Sequence, residues 1–183
     1  SPGLGQFGAG LEDVFLLDGL ELVPCAAAPS SPSCVAGGTH TTRVESYQRI
    51  RRETVVGAPG DPASDGWNVW KKDGTRSTYV PIFEITGALS GTVRWGLRSV
   101  QDTRGNQVVY GWQCSSAQES ECYPYRISYA KFLVDFYWEA RPDTVTYASG
   151  GGEVMRMTRR LQEIRVFSGG DAELPMVRAY QLS

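Results

Sequence analysis

Acid–base and nucleophilic chemistry would have to be assembled from very little in this chain. His40 is the only histidine, so a Ser-His-Asp or Cys-His arrangement would have to be centred on it. It stands in the Gly/Thr-rich stretch Gly37-Gly38-Thr39-His40-Thr41-Thr42. The run Gly87-Ala88-Leu89-Ser90-Gly91 misses the register of a Gly-x-Ser-x-Gly elbow. A single imidazole also rules out a His-based metal cluster. We therefore expect His40 to be exposed and without a catalytic role. Glu119-Ser120-Glu121 is the one E-x-E, set in a polar loop where two solvated acids bind nothing in particular. A glycosidase pair would need carboxylates converging across a cleft, which spacing cannot show. No catalytic, cofactor or metal residue is assigned.

The four cysteines fall as Cys25/Cys34 and Cys114/Cys122, each pair separated by a Ser/Ala/Pro-rich or Ser/Glu-rich insert. Three connectivities exist, and local loop-closing bridges are the simplest. Free thiols and zinc are the other readings, although structural zinc sites use closer Cys-x₂₋₄-Cys spacings than any present here. Disulfides would point to an oxidising, secreted or extracellular setting.

The elements that carry these residues read as β. With 183 residues, the chain can fill one core, and a single β-rich domain or fragment over 1–183 is expected. A net charge of −2 argues against a nucleic-acid surface, which requires clustered excess cation. The arginines at 49, 51 and 52, and at 156, 159, 160 and 165, are interspersed with acids and suit solvated strand faces. No apolar run is long enough to span a bilayer as a helix, so no membrane insertion by this segment is expected. A chain opening Ser1-Pro2-Gly3, without an initiator Met or a leader pattern, reads as part of a longer polypeptide.

Along the chain, the Gly-rich residues 1–10 read as a flexible lead-in. Gly3-x-Gly5-x-x-Gly8 has no preceding strand to make it a dinucleotide site. Asp18-Gly19 predicts a two-residue turn that sets Phe15 and Leu17 opposite Leu22 and Leu20. Residues 25–38 and 57–66 read as surface loops, 41–52 as a strand, and Asp73-Gly74 as the next hairpin turn. Gly87–Gly91 is a further turn. Phe132, Val134, Phe136 and Trp138 alternate into a strand with one aromatic face, stopped by Arg141-Pro142-Asp143. Residues 154–167 suit a helix or a bulged strand, and their β neighbours favour the strand. Five tryptophans and nine tyrosines could line a sugar-binding face, but on alternating strands they more often fill a core.

The fullest hairpin signature runs from Val93 to Tyr129, with Leu97-x-x-Val100-x-Asp102-x-x-Gly105-Asn106-x-Val108-x-Tyr110 followed by Arg126-Ile127-x-Tyr129. It resembles the unit of the Rhs/YD-repeat family. The flanks Val14–Pro24, Arg43–Ile50, Trp67–Arg76, Arg141-Pro142-Asp143 and Val177–Ser183 are similar, in order, to the SpvB-like amino-terminal region of Tc toxin B components. The resemblance covers nearly the whole chain. It implies an all-β fold of antiparallel hairpins with long surface loops, part of a larger shell that encloses an effector and attaches to a translocation component. SpvB-like proteins can also carry an ADP-ribosyltransferase built on an Arg, a Ser-Thr-Ser strand and an E-x-E, but Ser77-Thr78-Tyr79 is a poor match to that strand. The expectation is a non-catalytic toxin segment whose partner is the rest of its own chain, with self-association possible through strand edges. The alternative is an extracellular carbohydrate-binding or adhesive β module.

Overall fold

The computed structural model describes residues 3–7, 14–85, 91–114, 121–148, 154–169 and 175–182. It is antiparallel β apart from one helical turn, α1 (Pro32–Val35), among the described residues. The chain divides into two compact units, 1–106 and 107–183.

The first unit contains β1 (Gly3–Phe7), β2 (Val14–Leu17), β3 (Leu20–Pro24), β4 (His40–Thr42), β5 (Arg49–Val55), β6 (Ser64–Trp70), β7 (Arg76–Ile85) and β8 (Gly91–Gln101). Each strand pairs antiparallel with the next, and β1 pairs with both β2 and β8. Leu4 stands opposite Leu17 on one side and Trp95 on the other. The ladder thus returns to its start, which removes the edges that β2 and β8 would otherwise present. This corrects the expected flexible lead-in: Gly3–Phe7 is a strand, because two open ladders flank it and both supply backbone partners. The rest of residues 1–10 lies outside the described residues.

The turn chemistry explains the register. Asp18 and Gly19 both have positive φ, 50° and 82°, as a twist-matched two-residue hairpin requires. Phe15 then faces Leu22, and Leu17 faces Leu20. Inside the unit, Phe15, Leu17, Leu22, Ile50, Trp67, Val69, Tyr79 and Trp95 form one core. Trp67 and Trp95 meet edge-to-face at 6.0 Å, with Phe15 5.1 Å from Trp67 and 5.8 Å from Trp95, the geometry aromatic quadrupoles favour. The Trp95 indole N–H donates to the Asp65 carbonyl. Arg52 lies over this cluster, 5.0 Å from the Phe15 ring, and is held there by the Asp65 carboxylate.

Three other segments differ in part from the sequence expectation. Within 25–38, Ser33 is the one buried residue of an otherwise exposed or half-buried surface segment, its hydroxyl donating to the His40 carbonyl and accepting from the Ile50 N–H, so α1 is pinned to β4 and β5 through that side chain. The expected strand over 41–52 is two strands, β4 and β5, with residues 43–48 between them. Within 57–66, Gly57 and Ala58 are buried and Asp61 is clamped by both sides of the Arg98 guanidinium at 2.6 and 2.7 Å.

The second unit contains β9 (Gln107–Cys114), β10 (Cys122–Tyr129), β11 (Phe132–Ala148), β12 (Val154–Ser168) and β13 (Met176–Gln181). Residues 154–168 are strand, with an irregularity where Tyr137 and Trp138 face Glu163 and Leu161. Pro142 does not stop β11. The strand continues to Ala148 through a register shift between Ala140 and Val145, a bulge in which a residue without an N–H costs no ladder bond. On the aromatic face, Trp138 packs on Tyr123 at 4.6 Å, whereas Phe132 is exposed. The turn expected at 87–91 lies outside the described residues except for Gly91.

Gly66 tests this packing, since a Cβ there would meet the Tyr79 carbonyl oxygen at 2.3 Å and a Val55 methyl at 2.4 Å. Gly66→Ala should destabilise the fold by about 1–3 kcal/mol in urea unfolding. Gly91→Ala, where nothing lies within 4 Å, should change stability by less than about 0.5 kcal/mol.

Candidate functional site

His40 is half-buried, which corrects the expectation of an exposed imidazole. Its ring packs edge-on against Trp67 at 4.9 Å and Phe15 at 5.8 Å. Register places it there, because β4 is the short strand joining the β3 and β5 ladders. Nδ1 is 2.9 Å from the Thr39 hydroxyl. Burial, and then the nearby charge of Arg52, push its pKa down from 6.5 to about 4. The ring is therefore neutral and works as an aromatic packing piece with one polar contact.

Glu121 is also buried, against the expectation of a solvated acid. Its carboxylate accepts from the Tyr123 hydroxyl and from the Thr158 N–H, and the Arg159 N–H donates to the same Tyr123 oxygen. Two strands of the second unit, β10 and β12, thus meet at one carboxylate. Charge-assisted hydrogen bonds from the protein replace the water it has lost. Glu119, the other half of the E-x-E, lies outside the described residues. Beside Glu121 is a small cleft lined by Gln113, Cys114, Tyr123, Trp138 and Arg159. The Trp138 indole N–H is committed to the Pro124 carbonyl and the Tyr123 hydroxyl to Glu121, so these two lining groups already have structural partners. Sequence reasoning missed it, since residues 113, 123, 138 and 159 come together only through the β9–β12 pairings. Among the described residues no group of three His, Cys, Asp or Glu side chains is placed to hold a metal.

Cys25 is joined to Cys34, and Cys114 to Cys122. The first bridge ties the start of the 25–38 segment to α1, and the second links directly opposed residues of β9 and β10. Their positions are architectural.

The hairpin-signature residues divide between the units. Asp102 organises its turn alone: its carboxylate accepts from the Arg104 and Asn106 N–H groups at 2.8 and 2.9 Å and from the Asn106 side-chain amide at 2.7 Å. The Asn106 amide bond is the main reason its carboxyl titrates below the usual range. Gly105 supplies φ of 85°. In the second unit, Tyr110 faces Ile127, and Tyr129 faces Val108. Arg126 forms a two-point pair with Asp135 on β11. These residues set turn and register.

The surface that is open is β13. Among the described residues it pairs only with β12, every residue from Met176 to Gln181 is exposed, and Met176, Val177 and Tyr180 are large apolar groups facing solvent.

A closed eight-strand ladder followed by long antiparallel hairpins is a fold that recurs in toxin and effector chains. Specifically, the chain superposes on the Photorhabdus luminescens Tc holotoxin pore with a TM-score of 0.70 at 16% identity, over 99% of this chain and 12% of that one. It superposes on the N-terminal domain of the Salmonella typhimurium effector protein SpvB with a TM-score of 0.65 at 14% identity, over 100% of this chain and 87% of that domain. The TcdB2-TccC3 crystal structure matches with a TM-score of 0.67 at 15% identity, over 97% of this chain and 12% of that one. The SpvB-like and Rhs-type resemblance read from the residues therefore extends to the three-dimensional fold. The chain spans about one-eighth of the toxin chains it matches. No family model and no curated protein sequence matches it.

His40 gives a pH prediction. The unfolded chain takes up a proton near pH 6.5, while the folded chain resists until about pH 4. The folded pKa is depressed, so stability is full above pH 6.5, falls between 6.5 and 4, and loses nothing further below that. For a partly exposed ring we expect a loss of about 2 kcal/mol. Urea unfolding of wild type and His40→Phe at pH 7 and pH 4.5 measures this. The wild type should lose about 2 kcal/mol more than the variant across that interval, and equal losses would contradict the neutral packed imidazole.

Proposed function

We propose that residues 1–183 act as one non-catalytic structural segment of a secreted toxin or Rhs-type protein. In that role they contribute β-hairpins to a shell that encloses an effector outside the producing cell. The carrying observation is the fold likeness, which runs over essentially the whole chain to Tc toxin chains and to the SpvB N-terminal domain. The chemistry is in keeping with it. The one histidine is neutral and packed, and the one described E-x-E carboxylate is held by structural hydrogen bonds, so neither stands as a free acid or base among the described residues.

Its partners are then the rest of its own chain and, through it, a translocation component of a toxin complex. The strand that would make the first of these contacts is β13. The Leu182 N–H donates inward to the Gln162 carbonyl, so by strand alternation residues 179 and 181 direct their N–H groups to the open side. Unpaired donors and acceptors beside exposed Met176, Val177 and Tyr180 accept another strand.

In isolation the chain should therefore associate with rising concentration, read by light scattering coupled to size exclusion. Ala179→Pro removes an outward N–H while sparing the β12 ladder, and should shift the chain towards monomer. A wild type that stays strictly monomeric to high concentration would contradict the edge-pairing role.

A further inference from the structure

Two cations of the first unit are held by aromatic rings rather than by acids. The Arg49 guanidinium lies 3.7 Å from the Trp70 ring centre, and the Lys72 ammonium lies 4.0 Å from the Tyr47 ring centre. Arg49 faces Trp70 directly across the β5–β6 ladder. Tyr47 precedes Arg49 by two residues and Lys72 follows Trp70 by two, so both stacks lie at the end of the hairpin where β5 begins and β6 ends. Elsewhere in this unit Arg43, Arg51, Arg52 and Arg98 pair with Glu21, Glu53, Asp65 and Asp61. Among the described residues Arg49 and Lys72 have no such partner, and the buried Arg49 Nε has no acceptor. The neighbouring acids are engaged with backbone N–H groups, Glu45 with Tyr47 and Asp73 with Thr75.

Backbone strain marks the same spot. Tyr47 holds φ of 55°, unfavourable for an aromatic residue and found where surrounding structure or function imposes it. It is also 56% exposed, beside Val44 at 70%. A strained, solvent-facing ring carrying an ammonium that has no ion-pair partner among the described residues, with a guanidinium stacked on Trp at the same end of the hairpin, offers cationic donors to an anion and aromatic surface to the apolar C–H face of a pyranose. β6 is paired on both sides, and β5 is bridged to β4 at Ile50, next to Arg49, so this end of the hairpin offers a peptide no free edge to extend. Two cations on a chain of net charge −2 do not make a phosphate track.

The geometry points to Tyr47, Arg49, Trp70 and Lys72 as a binding site for an acidic glycan, a saccharide bearing carboxylate or sulfate groups. This goes beyond the structural role and does not depend on it. The test is calorimetric titration of the intact chain at low salt with a heparin oligosaccharide, a hyaluronan oligosaccharide, neutral dextran and poly-glutamate. Heparin binding is expected, and added hyaluronan binding would assign carboxylate as sufficient. Dextran should not bind. Lys72→Ala and Tyr47→Gly should each weaken binding by about tenfold or more, while Lys131→Ala in the second unit should not. Tyr47→Gly relieves the positive φ, so an unchanged or raised unfolding midpoint separates lost binding from lost folding. No binding of either acidic glycan, binding that ignores these substitutions, or tighter binding of poly-glutamate at the same residues would overturn the assignment.

Discussion

The interlocked packing of Trp67, Trp95 and Phe15 is the constraint on which the first unit depends. Three rings meeting edge-to-face require β2, β6 and β8 to present side chains inward at one level, which the ladder does by curving back on itself. β1 completes the circuit by pairing with β2 and β8. His40 and Arg52 then occupy the remaining approaches to the rings, one as a neutral imidazole and the other as a guanidinium anchored by Asp65. Among the described residues of this unit, the Trp67 indole N–H and the Arg49 Nε are buried without a partner.

The second unit works differently. Its long β11–β12 ladder carries many half-exposed residues, and its polar centre is the Glu121 carboxylate joining Tyr123 and Thr158. Its exposed pairs, such as Arg126–Asp135 and Arg160–Glu139, set register more than they add stability. Among the described residues this unit has little apolar interior of its own, and its last strand pairs on one side only. Both properties suit a segment stabilised by what pairs with it.

Much of this was legible in the sequence wherever local chemistry decides the outcome. Asp18-Gly19, Asp73-Gly74 and Asp102 to Asn106 are turns whose conformations only a few residue types tolerate, and the register of β2 and β3 follows from the first of them. Long-range pairing could not be read in the same way. Gly3–Phe7 carries no strand signal because its reason for being a strand lies in β2 and β8. His40 and Glu121 look solvated in sequence because their neighbours are polar, yet rings and strands from distant positions cover them. Pro142 marks a break by local rules, and the bulge that tolerates it exists only in the paired ladder. The stacks at Arg49 and Lys72 escape notice because cation–ring contacts depend on register across β5 and β6.

Amide hydrogen exchange, followed peptide by peptide on the intact chain at low concentration, tests most directly the claim of a ring-locked closed ladder and a free terminal strand. The account predicts the slowest exchange in β6 and β8 around Trp67 and Trp95, protected β1 amides on both sides, and fast exchange of the outward amides of Ala179 and Gln181. Protection of β13 equal to that of β12, or fast exchange throughout β1, would contradict it.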